Sequence, residues 1–185
     1  MRNSRIFRLG SQVAAIFLAA MLIASAAIGQ SSRAWKAGQF GELLTGKATR
    51  KDVLRVMGES KPTKNARLET FTYPGKGDFD GKVMVDVNAT GMVEAVTVQF
   101  SPNITRTQAY KKYGKDYHEV RYSVSACPQE GSTPQVYRDP KGGIELLEYP
   151  EKGLILWPNQ YGFDIAAAVF RAKALPAKKP VCGKK

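Results

Sequence analysis

Histidine occurs once, at His118, and cysteine twice, at Cys127 and Cys182, in a chain of 185 residues. A single imidazole excludes an HExxH helix and any two-histidine metal centre. It also leaves general acid–base chemistry with few groups to work with. No Gly-x-Ser-x-Gly elbow marks a serine nucleophile. Glu145 with Glu148, and Glu148 with Glu151, are spaced as carboxylate pairs, but they lie on or beside expected strands and read as solvent-facing charge. Two cysteines in an exported chain are read as one disulfide, Cys127–Cys182; a Cys127–His118 nucleophile is the alternative.

Acidic residues are also scarce, 16 against 28 Lys and Arg, for a formal charge of +12. Arg2, Arg5 and Arg8 fall in a segment expected to be removed, which leaves +9. That field favours an anionic surface or an acidic protein. Hydrophobic residues make up 43% of the chain, enough for a folded core.

One long apolar run is present, Val13 to Gly29, after a polar start with three arginines. With small residues at Ala24-Ser25-Ala26, it has the form of a secretory signal peptide; the alternative is an uncleaved anchor. No cysteine follows the run, so no lipid anchor is expected.

Past a polar lead-in, the chain writes one pattern twice. Glu69 to Phe100 runs ETFTYPGKGDFDGKVMVDVNATGMVEAVTVQF, and Glu145 to Arg171 runs ELLEYPEKGLILWPNQYGFDIAAAVFR. Tyr73-Pro74 answers to Tyr149-Pro150, and Gly91 to Gly162. Upstream of each copy lies a short helix signal. Thr49 with Asp52, and Thr105 with Gln108, have capping-box spacing, and Gly58 and Gly114 supply the stops. Phe71 with Tyr73, Val83 with Val85 and Val87, and Val96 with Val98 and Phe100 alternate as half-buried strands. Phe163 to Phe170 carries three alanines yet alternates, and the repeat assigns it to a strand. Tyr117 to Val124 is expected to be an extra strand, and Gln135 to Gly143 a further hairpin.

Two weaker motifs bear no chemistry. Gly41 to Lys47 matches a phosphate-binding loop as far as its lysine, but Ala48 stands where a hydroxyl must hold magnesium. The Asp-x-Asp-Gly at Asp78 to Gly81 lacks the remaining ligands of a calcium loop.

The stretch LLTGKATRKDVLRVMG at Leu43 to Gly58, followed by ETFTYP at Glu69 to Pro74 and paired hydrophobic strands, resembles the superfamily joining the small lipoproteins of the barrel-assembly machinery (the SmpA/OmlA group) to the secreted β-lactamase-inhibitor proteins. The resemblance covers most of Phe40 to Arg171. It implies helices on one face of a curved antiparallel sheet and, in the tandem form, a partner protein held on the opposite, concave face. This chain departs from it in having no lipobox cysteine and no cysteine pair within each unit.

The expected architecture is therefore α+β: two helix-plus-antiparallel-strand repeats forming one or two abutting sheets, with the helices on one face. Residues 1–29 are the signal peptide, 30–39 a flexible lead-in, 40–101 the first repeat, 102–172 the second with an insertion at 115–143, and 173–185 a basic tail. The expected function is an exported, non-enzymatic protein-binding or envelope-assembly module, periplasmic or secreted. Its partner is another protein of the cell envelope or extracellular space, with an anionic surface as a second possibility and nucleic acid disfavoured. Tyr73, Tyr149, Trp157 and Tyr161 are the candidate anchors on the sheet face opposite the helices, since interfaces concentrate such aromatics. No catalytic residue, metal or cofactor is expected. The alternatives are a binder of anionic polymer or nucleic acid, and a cell-envelope hydrolase.

Overall fold

The computed structural model describes residues 34–65, 67–75, 81–125 and 135–179. The signal segment, the start of the lead-in, the Asp78–Asp80 loop, both cysteines and the end of the tail lie outside the described residues. Two short strands, β1 (Gln39–Phe40) and β2 (Leu43–Leu44), pair with each other and lead into helix α1 (Arg50–Met57). Strands β3 (Thr63–Lys64), β4 (Leu68–Pro74), β5 (Gly81–Asn88) and β6 (Val93–Thr105) precede helix α2 (Arg106–Tyr113). After it come β7 (His118–Ser125), β8 (Gln135–Arg138), β9 (Ile144–Tyr149), a 3-10 turn at Pro150–Lys152, β10 (Leu154–Pro158) and β11 (Asp164–Arg171).

Strands β3 to β11 form one nine-stranded antiparallel sheet in the order β3-β4-β5-β6-β11-β10-β9-β7-β8. This corrects the expected fold class. Among the described residues the protein is mostly β, 51% strand against 15% helical, and not a helix-plus-strand repeat of α+β type. The physical reason lies in the helices, which are each eight residues long and bury only Val53 in α1 and Ala109 and Tyr113 in α2. They plug a sheet rather than form a layer. Nor do the two halves make separate sheets. β6 runs through the boundary expected at residue 101 and pairs with β5 on one side and β11 on the other. The segment read as an insertion supplies β7 and β8 to the same sheet.

Both helices begin and end as their local chemistry dictates. The Thr49 hydroxyl accepts from the Asp52 backbone N–H, and the Asp52 carboxylate accepts from the Thr49 N–H at 2.9 Å. Thr105 and Gln108 repeat the exchange, with 3.2 and 2.8 Å bonds. Gly58 and Gly114 close the last turns at φ of 92° and 89°, where a side chain would be strained. Each cap is then tied to the sheet by a tyrosine. The Tyr73 hydroxyl donates to the Gly58 carbonyl at 3.1 Å, and the Tyr149 hydroxyl to the Gly114 carbonyl at 2.9 Å.

The main core lies between the helices and the first face of the sheet, where Phe71, Val85, Val96, Val98, Leu154 and Leu156 are fully buried. Each such side chain contributes about 1.5–3 kcal/mol relative to exposure. A smaller core, Tyr122 with Leu146 and Ile155, lies on the second face at the β7-β9-β10 end. Two segments outside the expected repeats, the lead-in and the basic tail, seal it. From the lead-in, Trp35 packs on this cluster and its indole N–H donates to the Arg171 carbonyl at 3.2 Å. Phe40 then turns to the first face against Phe170. The lead-in passes so close to Gly153 that a Cβ there would collide with the Gly38 nitrogen. From the tail, Leu175 covers the same cluster, and the Pro176 carbonyl accepts from the Arg138 N–H at 2.8 Å.

Candidate functional site

The β10–β11 hairpin carries the surface that stands out chemically. Its strands pair from Leu154↔Phe170 to Trp157↔Ala167, and a register shift follows before Pro158↔Ile165. The turn is fixed by Asn159. Its N–H donates to the Asp164 carbonyl at 2.7 Å, and its side-chain oxygen accepts from the backbone N–H groups of Tyr161 and Phe163. The Gly162 carbonyl accepts in turn from Arg106 Nε at 3.2 Å, which ties the tip to the start of α2. Arg106 is itself braced against Glu119 and Glu145 at 3.7 and 3.5 Å. On this hydrogen-bonded tip Tyr161 and Phe163 are 69% and 78% exposed.

Behind the tip, on the second face, lies an open trough of about 430 Å³. Ile155, Trp157, Ala167 and Val169 form its floor and one wall, with Arg171 and Leu175 at the far end. The Trp157 indole nitrogen is buried and finds no acceptor among the described residues, an arrangement that ordinarily costs about 1–3 kcal/mol. Burial pushes the Arg171 guanidinium down from its ordinary value, against the pull of Glu94 and Asp86, and its Nε donates to the Lys173 carbonyl. Beyond the trough the second face continues over β4 to β6 as a half-open polar surface, with Thr72 and Gln99 exposed and Met84 and Thr97 half-buried.

The expected anchors divide. Trp157 and Tyr161 belong to this surface. Tyr73 and Tyr149 do not: they lie on the first face, 7% and 1% exposed, and their hydroxyls are spent on the helix caps. Burial, with Tyr110 and Tyr117 nearby, pushes the Tyr149 hydroxyl up to about 12. Phe163 was read as the first residue of a strand and is instead part of the exposed tip. Its signal is the Asn159-to-Gly162 turn, which makes Phe163 a loop residue before the alternation of β11 begins.

Glu148 also differs from expectation, since it is 2% exposed. Both carboxylate oxygens are occupied, one by the Tyr122 hydroxyl and the other by Arg138 Nη2 at 2.7 Å. Burial and this carboxylate push the Tyr122 hydroxyl up. A carboxylate so saturated holds β7, β8 and β9 together. His118 opens β7 on the surface. A second hollow, about 320 Å³, is lined by Arg50, Lys64 and Arg67. The Glu69 carboxylate spans Arg50 and Lys64 there at 3.5 and 2.7 Å, which offsets much of its charge. Among the described residues, no group of His, Cys, Asp and Glu is placed to hold a metal ion. No family model, curated protein or solved structure matches the chain.

Proposed function

We propose that the protein is an exported binding or assembly module that holds another protein against the β10–β11 end of its sheet, through the Tyr161–Phe163 tip and the trough behind it. The observation that carries this reading is the pair of large aromatic side chains left in water on a turn that Asn159 and Arg106 hydrogen-bond. Rigid aromatics lose little conformational freedom on docking and bring a large apolar area, which is why they recur as interface anchors. A single exposed aromatic needs no explanation, whereas two large ones on one turn are the kind of exposed apolar surface that marks an interaction site. The +9 charge of the chain without its signal segment adds long-range attraction toward an acidic partner.

The test is a photoreactive residue placed at Gln160 in the tip, with one at Lys111 on the outer side of α2 as the control, in cells that make the protein. A discrete protein adduct from Gln160, absent from Lys111 and lost when Tyr161 and Phe163 are both replaced by Ser, is the expected result. Adducts that form only at Lys111, or that survive the double replacement, refute the reading.

A further inference from the structure

The trough has one charged residue in its lining, Arg171, which ends β11 opposite Ala95 of β6. Its Nε is spent on the Lys173 carbonyl, whereas its two terminal nitrogens make no hydrogen bond or ion pair among the described residues and are not sealed from solvent. Glu94 and Asp86 act on it from beyond ion-pair distance, and Asp86 already accepts from the Thr70 hydroxyl at 2.7 Å. A half-buried cation without a close counter-charge, at the end of an apolar trough, leaves a desolvation cost that a bound anion offsets. The rest of the lining says what the anion is attached to. Ile155, Pro158, Ala167 and Val169 are apolar, and the backbone beneath them is committed, since β11 pairs with β6 and β10, and β10 with β9. The Trp157 N–H is sealed below the surface and offers nothing to a ligand. Beyond the Thr97 hydroxyl the floor therefore has little for the backbone of a peptide, which would give up its water there without replacement. An alkyl chain gives up no hydrogen bond.

We infer that the trough binds a straight-chain fatty acid, its carboxylate on the Arg171 guanidinium and its chain laid along Val169 and Ala167 toward Trp157. From Arg171 to Ala167 the strand covers about 13 Å at about 3.3 Å per residue, the extended length of a chain of about ten carbons. One guanidinium matches the single charge of one carboxylate, fork to fork. The space, about 430 Å³, is of the size that small-molecule sites have. This adds a ligand to the binding reading above and does not depend on it, because Tyr161 and Phe163 stand outside the lining of the trough.

Titration calorimetry tests it on the protein purified after expression of the full chain, with each ligand kept below its micelle concentration. Decanoate should fill one saturable site. From hexanoate to decanoate the affinity should rise about two- to fourfold per added methylene, then level off at tetradecanoate, whose further carbons overrun the trough. Decanoate should bind at least about tenfold more tightly than 1-decanol or decyltrimethylammonium, the difference that hydrogen bonds to a charged group make. Arg171→Met should erase that preference, and Ala167→Leu, which fills the trough from a half-buried position, should abolish binding of all three. No saturable binding, equal affinity for the three head groups, an affinity still climbing at tetradecanoate, a preference that survives Arg171→Met, or undiminished binding to Ala167→Leu overturns the inference. The head-group comparison uses the wild-type protein alone and so decides the matter without either variant. The adduct at Gln160 is scored separately: its loss refutes the binding reading and leaves the fatty-acid site standing, and the reverse holds for a failed titration.

Discussion

Removing the Tyr149 hydroxyl alone, as Tyr149→Phe, should destabilise the protein by about 1 kcal/mol at neutral pH, the net value of a typical hydrogen bond whose acceptor stays behind. The bond at stake joins that hydroxyl to the Gly114 carbonyl at the end of α2. For a unit of this size the loss corresponds to a melting temperature lower by about 2–4 °C. Truncation to Ala removes a side chain that is 1% exposed and should cost about 3–5 kcal/mol. The hydroxyl also links stability to pH. Its folded pKa lies at about 12 against an ordinary 10.0, so the unfolded chain gives up this proton first as the solution becomes alkaline. The stabilisation is complete below pH 10.0 and is lost as the pH rises toward about 12. Urea denaturation of wild type, Tyr149→Phe and Tyr149→Ala at neutral pH, then of wild type and Tyr149→Phe across the alkaline range, measures all three effects. The Phe variant should lose stability less steeply with pH than wild type. Two results would refute the assignment of Tyr149 to the core: an Ala variant weakened by less than about 1 kcal/mol, or parallel alkaline profiles for wild type and Phe.

The Glu148 network should respond asymmetrically. Arg138→Met strands a buried carboxylate and should cost about 3–5 kcal/mol, whereas the double variant Arg138→Met with Glu148→Leu should recover most of that loss in thermal denaturation. Gly153→Ala should be far more harmful than Gly91→Ala in the same assay. Both glycines have positive φ, but a Cβ at Gly153 meets the Gly38 backbone while one at Gly91 meets open space. Cys127 and Cys182 are expected to titrate as no free thiols in protein unfolded after passage through an oxidising compartment. Closing 55 residues contributes roughly 4 kcal/mol in the chain-entropy model, and two free thiols would remove the bridge.

Local signals were legible in the sequence and long-range ones were not. Thr49 with Asp52 and Thr105 with Gln108 encode helix starts by contacts within one turn, and Gly58 and Gly114 encode the stops, so both helices stand where the spacing places them. Strand alternation likewise located β4, β5 and β6, while β11, ambiguous by alternation alone, was assigned by comparison with the first copy. What alternation cannot convey is how strands are ordered. Neither the pairing of β6 with β11 nor the passage of residues 135–149 from one side of β7 to the other is written in any local pattern. That passage needs Gly142, where a Cβ would run into the Tyr122 carbonyl. Trp35 and Leu175 were invisible for a related reason, because each is one apolar residue in a polar segment whose burial depends on a surface far away in the chain.

The site was half legible because tyrosine is ambiguous by construction. Its ring favours burial and its hydroxyl favours any acceptor, water or protein, so the Tyr-Pro pairs fit a binding face and a core equally well until the helix ends are placed. Once Gly58 and Gly114 present unpaired carbonyls to the first face, Tyr73 and Tyr149 satisfy them and are consumed by the fold. Tyr161 and Phe163 have no such outlet. Asn159 pins their backbone N–H groups and so directs both side chains away from the sheet. Burying either would contribute about 1.5–3 kcal/mol, stability that small polar residues at the same turn would not forgo. A chain that keeps both aromatics in water, on a turn braced by Arg106, leaves that stabilisation ungained within its own fold.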